Sequence, residues 1–120
     1  MCTVSEVFDK MEDMGAEPRE VVRRLGGSED LYIRFLKEFV KEKEMGDLRQ
    51  AIKTHDAKAA FVAVHTLKGV SLNLGLLPFA DHCCDMVEEY RKGNEKEGDA
   101  LLPDMEQSFK EMCDLIAMFD

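Results

Sequence analysis

The sequence predicts an all-α protein: an antiparallel up-and-down four-helix bundle with one or two short extra helices at its N-terminus. Apolar residues recur three and four apart through several long stretches, as in amphipathic helices, and no stretch alternates as a half-buried strand does. Tryptophan is absent, proline occurs three times, and Leu, Ala, Glu, Lys and Met are abundant, a composition that favours helix. The connections between the long stretches are short, which sets neighbouring helices antiparallel. The 120 residues make one domain with a single core. Within it, residues 1–27 read as short helices packed on a bundle formed by residues 28–120.

The first short helix spans residues 3–14, with Val4, Val7, Phe8, Met11 and Met14 at helical spacing and Gly15 as its stop. A second starts at Pro18, suited to a first helical position, presents Val21, Val22 and Leu25, and ends at Gly26-Gly27. Ser28 is an N-cap, and Glu29 and Asp30 complement the dipole of the helix it opens. Tyr32, Phe35, Leu36, Phe39 and Val40 form that helix's apolar face. Leu48 and Ile52 extend the row in four-residue steps. Gly46 offers a break, but the row predicts one helix over 28–53, with the run from Lys41 to Glu44 as a solvated face. Asp56 caps the next helix, 57–74, which Gly75 stops; His55 before it is a turn residue. Pro78 starts a helix reaching about Arg91, with Leu76, Ala80, Cys83, Val87 and Tyr90 as a bundle seam. The last helix begins near Asp99, because Pro103 is tolerable only close to a helix start. Leu102, Met105, Phe109, Met112, Ile116 and Phe119 are its seam.

The net charge of −9 argues against nucleic acid or an anionic membrane surface as the main partner. The start of the chain lacks the basic and apolar regions of a signal peptide. No run approaches the roughly twenty apolar residues of a membrane span, so the chain is expected to be cytoplasmic, or a soluble piece of something larger; a monomer is also expected. The four cysteines show no Cys-x-x-Cys spacing. Cys83 and Cys84 are adjacent on a helix and diverge by about 100°, which makes them, with His82, poor joint metal ligands. Reduced thiols are expected, with Cys83 buried, and no metal.

The stretch from Ala63 to Gly75 holds the chemistry. On a helical wheel Ala60, Ala63, Leu67, Val70, Ser71 and Leu74 gather on one side, with Val64 at its edge. His65 lies opposite. Lys58, Phe61, Lys68, Gly69 and Leu72 fall within about a sixth of a turn of it. Lys68, one turn on, is placed to hold an anion at the imidazole. Gly69 costs a helix about 1 kcal/mol relative to alanine and clears space beside the ring. An imidazole with a nearby ammonium and open space suits reversible attachment of a bulky anion such as a phosphoryl group. Phe61 and Leu72, apolar yet beside His65, read with Lys58 as a docking patch for a partner helix.

His65-Thr66-Leu67-Lys68-Gly69, followed by Ser71, Leu74 and Gly75, resembles the signature of the histidine-containing phosphotransfer (HPt) domains of bacterial-type phosphorelays. The resemblance covers residues 28–118, sharply only at 63–75. It implies that His65 is phosphorylated, that Lys68 assists the phosphate and that Gly69 keeps access open. It implies a phosphorelay intermediate that takes the group from a receiver-domain aspartate and passes it to another receiver, without ATP-dependent kinase activity of its own. The implied partners are response-regulator receiver domains and a sensor or hybrid histidine kinase. The implied Mg²⁺ belongs to the receiver, with no cofactor in this chain. A phospho-accepting domain of a chemotaxis-type kinase carries a similar motif, and a non-phosphorylated receiver-binding bundle is the other alternative.

Overall fold

The computed structural model describes residues 2–120, and among them every regular element is a helix. α1 (Val4–Asp13) and α2 (Pro18–Arg24) precede a bundle made of α3 (Glu29–Val40) with α4 (Glu44–Lys53), then α5 (Ala57–Asn73), α6 (Leu77–Arg91), the short α7 (Glu95–Asp99) and α8 (Leu102–Ile116). The molecule is elongated, 43 × 25 × 22 Å. Successive long helices run antiparallel. Tyr32 at the start of α3 meets Leu74 just past the end of α5, and Arg49 of α4 pairs with Glu106 near the start of α8 at 2.5 Å.

The caps at Ser28 and Asp56 are those the sequence implies, and Thr3, expected inside the first helix, caps it instead. Thr3 and Glu6 form a reciprocal capping box on α1. Ser28 accepts from the Leu31 amide at 3.2 Å, and Asp56 accepts from the Ala59 amide at 3.0 Å. Each satisfies one of the amides that a helix start leaves without a partner. The N-terminal helices belong to the core. Val7, Phe8 and Met11 are buried, and the Phe8 ring meets Tyr32 and Phe119 edge-on, each at 5.9 Å. Arg19 fastens α2 to α1 through Asp9 and Glu12 while its guanidinium lies over the Phe8 ring.

The expected single helix over 28–53 is two. Lys41 and Glu42 close 3₁₀-like turns onto Glu38 and Phe39, and α4 starts afresh at Glu44. The reason lies in the helical repeat. A four-residue step overshoots one turn by about 40°, so the row from Leu36 to Ile52 drifts by about 160°. A straight helix facing Tyr32, Leu36 and Phe39 inward would turn Met45 and Leu48 outward. The break re-phases the chain, and all five are buried. It falls at Lys41-Glu42-Lys43, where no apolar side chain is lost, rather than at Gly46. Phe35 and Val40, expected in the core, stay about two-fifths exposed.

The start of the last helix also differs. Residues 95–99 form α7, and α8 begins at Leu102 with Pro103 in its first turn. Gly98 makes this possible: a Cβ there would come within 2.5 Å of the Tyr90 ring. The Tyr90 hydroxyl then donates to Asp99 at 2.6 Å.

At the α3–α4 break Oε2 of Glu44 is buried without a donor among its ionised neighbours. A hydrogen bond with Glu44, aided by burial and the charges of Glu44 and Glu38, pushes the Glu42 carboxyl up to about 7 and holds that of Glu44 below its usual range. A raised carboxyl pKa stabilises the fold at low pH and loses that contribution as pH rises through the folded value. The lowered Glu44 acts in the opposite sense and loses its contribution as pH falls. The joint is therefore expected to loosen between about pH 4.5 and 7, from the ordinary carboxyl value to the raised one. Amide exchange at residues 41–45, corrected for its intrinsic pH dependence, will rise over that range, and Glu42→Gln will flatten the rise.

The Tyr32 hydroxyl, donating to the buried Leu74 carbonyl at 2.7 Å, gives a second expectation. Tyr32→Phe strips that carbonyl of its side-chain donor and is expected to cost about 1–3 kcal/mol, measured by urea unfolding.

Candidate functional site

α5 is packed between α4 and α6, and its buried side chains are Ala60, Ala63, Val64, Leu67 and Ser71. Small residues at 60 and 63 permit close helix approach. Val64, expected at the edge, is fully buried, while Val70 is only half-buried. The packed side is thus turned toward α6, where Ser71 lies against Cys83. The Ser71 hydroxyl donates to the Leu67 carbonyl at 2.7 Å, which settles a buried polar group within the helix itself.

His65 is exposed on the opposite side. Its ring stands 5.7 Å from that of Phe61, centroid to centroid, at a tilt of 36°. Phe61, expected on the exposed face, is half-buried and packed against the core. It is therefore an anchored wall beside the imidazole rather than a free flank. Leu72 is 41% exposed. Lys58 is exposed and Lys68 half-buried, and among the described residues neither is held in an ion pair. Both ammonium groups are available to an incoming anion. Lys68 is about 4.5 Å further along the helix axis than His65, close enough for a side chain of its length to reach a group carried on the ring.

Gly69 has a distinct signature. A Cβ built there meets nothing within 4 Å beyond the helix's own backbone. Neither packing nor backbone conformation calls for glycine, yet it costs helix stability. What it provides is clearance for something outside the chain. Gly75 is the contrary case. Its φ is +69° and a Cβ would meet Val21 Cγ2 at 2.8 Å and the Glu17 carbonyl oxygen at 2.9 Å, so the fold itself requires it.

The other titratable candidates stand apart. His55 lies in the left-handed turn between α4 and α5, with φ of 58°. All four cysteines are free, and burial pushes the Cys83 thiol up to about 12, which makes it inert. No three His, Cys, Asp or Glu side chains converge as metal ligands among the described residues. Among the described residues no helix is long and apolar enough to cross a membrane.

Val62 is what the sequence reading missed. At 58% exposed it is the most exposed of the large apolar side chains. Its signal was in the sequence: three residues before His65, it falls about a sixth of a turn away, the mirror position of Lys68.

Comparison with known proteins places this geometry. The family model described as the Hpt domain matches residues 31–118. The crystal structure of histidine-containing phosphotransfer protein B from Pseudomonas aeruginosa PAO1 superposes with a TM-score of 0.76 at 29% identity, over 85% of this chain and 90% of that one. No curated protein sequence matches.

The two glycines make opposed predictions. Gly69→Ala is expected to raise unfolding stability by about 1 kcal/mol, because its methyl group enters open space. Gly75→Ala is expected to lower stability by about 1–3 kcal/mol through backbone strain. Urea titration of the two variants tests both signs.

Proposed function

The chain belongs to the Hpt domain family, and from that premise we propose that His65 is the residue on which it carries a phosphoryl group. The protein is a phosphorelay intermediate, and its family works with receiver domains and kinases. The observation that carries the assignment to His65 is its setting: an exposed imidazole on α5 with Lys68 one turn on and open space at Gly69. The family match and the phosphotransfer-protein relative favour this over a kinase-attached domain or a bundle that merely binds a receiver.

In the proposed reaction the neutral imidazole of His65 attacks through Nε2. The Nε2–P bond forms as the aspartyl O–P bond of the donor receiver breaks, and the released carboxylate keeps the electron pair. The same steps in reverse hand the group to a second receiver. Lys68 neutralises part of the charge on the phosphoryl oxygens, and Gly69 lets the partner's carboxylate approach in line. Phe61 limits the swing of the imidazole, so the ring is positioned before the partner arrives. Lys58, Phe61 and Leu72 contact the receiver. Mg²⁺ is supplied by the receiver, and the chain has no ATP-dependent kinase activity of its own.

Transfer from a phosphorylated receiver domain tests the assignment. Wild-type protein is expected to gain an acid-labile, base-stable label and His65→Gln none. Lys68→Ala is expected to slow transfer about 10–100-fold, the loss of one charged stabiliser, with folding intact. ATP alone is expected to leave the protein unlabelled. Label retained in His65→Gln would refute the site.

A further inference from the structure

The flank of α3 and α4 that faces away from α5 carries a groove of its own, along α8. Two depressions, of about 580 and 370 Å³, share Cys113 as a wall and run together. The groove follows α8 from Pro103 to Ala117, about 21 Å of helix. Its floor is apolar. Phe109, Cys113 and Ile116 of α8 stand four and three apart, so they share a face. Val40 of α3, which the core leaves 37% exposed, lies across from Cys113 and Ile116.

The rim is cationic. Lys37 and Lys41 of α3, Arg49 of α4 and Lys110 of α8 line the groove, with Glu106 as the one acid among its described lining residues. In a chain of net charge −9 this is a local reversal of sign. The cations are loosely held. Lys41 meets Glu38 at 3.8 Å, Lys110 meets Asp114 at 2.9 Å, and Lys37 donates to the Asp120 carbonyl at 3.0 Å. Arg49 engages Glu106 through Nε alone, which leaves both terminal guanidinium nitrogens for a second carboxylate. Exposed pairs of this kind are worth about 0–1 kcal/mol, so a partner's acids can share or displace them.

We propose that this groove docks an acidic amphipathic helix of a partner protein, with its apolar stripe on Val40, Phe109 and Cys113 and its carboxylates toward the lysines and Arg49. Charge complementarity selects the occupant. A basic helix would meet four cations. A flat anionic membrane cannot reach apolar side chains at the bottom of a furrow, and the rest of the chain repels it. A helix fits a furrow between packed helices and presents apolar residues at i, i+4 and i+7 on one face. Three of the four cations stand on the α3–α4 rim, so the acids of the partner helix gather on that side. The inference goes beyond the relay function and does not rest on it. α5 packs on the other flank of α3 and α4, where Phe35, Glu38, Gln50 and Thr54 meet it. An occupied groove therefore leaves His65 open, and the chain holds one partner while it exchanges a phosphoryl group with another.

The test uses the full chain and a fluorescein-labelled synthetic peptide of about 14 residues, the length of the groove, stapled so that it stays helical. The peptide carries leucine at i, i+4 and i+7 and glutamate along one flank. Fluorescence anisotropy is expected to give a Kd on the order of tens of micromolar, as for a small interface, and added salt is expected to weaken it about threefold. The same peptide with lysine for glutamate is expected to bind about tenfold more weakly. Val40→Glu is expected to weaken binding of the acidic peptide about tenfold, and Lys110→Glu about threefold. Glu97→Lys on α7 is expected to leave the affinity unchanged. Val40→Glu is also expected to keep transfer from a phospho-receiver within about twofold of wild type. Absence of binding, equal binding of the lysine peptide, or an unchanged affinity in Val40→Glu would overturn the proposal; should that variant unfold, Lys110→Glu decides in its place. A wild-type dimer in sedimentation that Val40→Glu dissociates would assign the groove to a second copy of this chain and overturn it as well. So would a loss of transfer in folded Val40→Glu, which would place the groove within the receiver's own site. Peptide binding is read without phosphotransfer, so a failed relay assignment of His65 and a failed groove are told apart.

Discussion

The division of α5 into a packed side and an unencumbered side is the constraint on which the site depends. Residues follow one another by about 100° around a helix, so a slip of one residue would carry His65 most of the way into the bundle. Three features prevent that slip. Ala60 and Ala63 fit only where neighbouring helices come close. Asp56 fixes the first turn. At the far end the Gly75 carbonyl accepts from the Glu17 amide at 2.9 Å, and that of Leu74 accepts from Tyr32. With both ends and the inner face held, the direction of the imidazole is a property of the bundle, and the outer face is left to function.

The clasp on the end of α5 explains the place of the N-terminal helices. They lie outside the residues matched by the family model, yet Glu17 precedes α2 and Val21 is within it, both against Gly75. Phe8 supports the Tyr32 ring from the other side. Tyr32 therefore couples three things: the edge-packed aromatic side chains at this end of the molecule, the start of α3, and the carbonyl of Leu74 at the C-cap of the functional helix. The N-terminal segment secures the end of α5 from which the site is oriented, about ten residues from His65.

Much of this was legible because it is local. Caps at Ser28 and Asp56, stops at Gly15 and Gly75, and the exposure of His65 all follow from spacings within one or two turns. What escaped depends on comparing directions over greater lengths or between helices. The four-residue row from Leu36 to Ile52 looks continuous step by step, but its drift is apparent only when summed and set against a fixed core. α7 depends on Gly98 meeting Tyr90, a contact between two helices. Phe61 was placed on the correct side of α5, but its half-burial is decided by neighbours that the wheel does not contain. Val62 lay within the wheel and was passed over.

Charge ties the site to the rest of the molecule. The chain as a whole is strongly acidic, so an acidic partner meets repulsion from most approaches that weakens only over the Debye length. Lys58 and Lys68 interrupt this field around His65, and neither is neutralised by an ion pair among the described residues. Long-range repulsion with a local attractive window selects orientation more than it adds affinity. A relay intermediate is served by that balance, because it has to release each receiver after transfer. The apolar contacts are correspondingly sparse: Val62 and Leu72 are exposed and Phe61 is partly withdrawn into the core. In the proposed docking, a wider apolar surface would lengthen residence time, whereas two exposed anchors beside two cations would orient a partner and let it go.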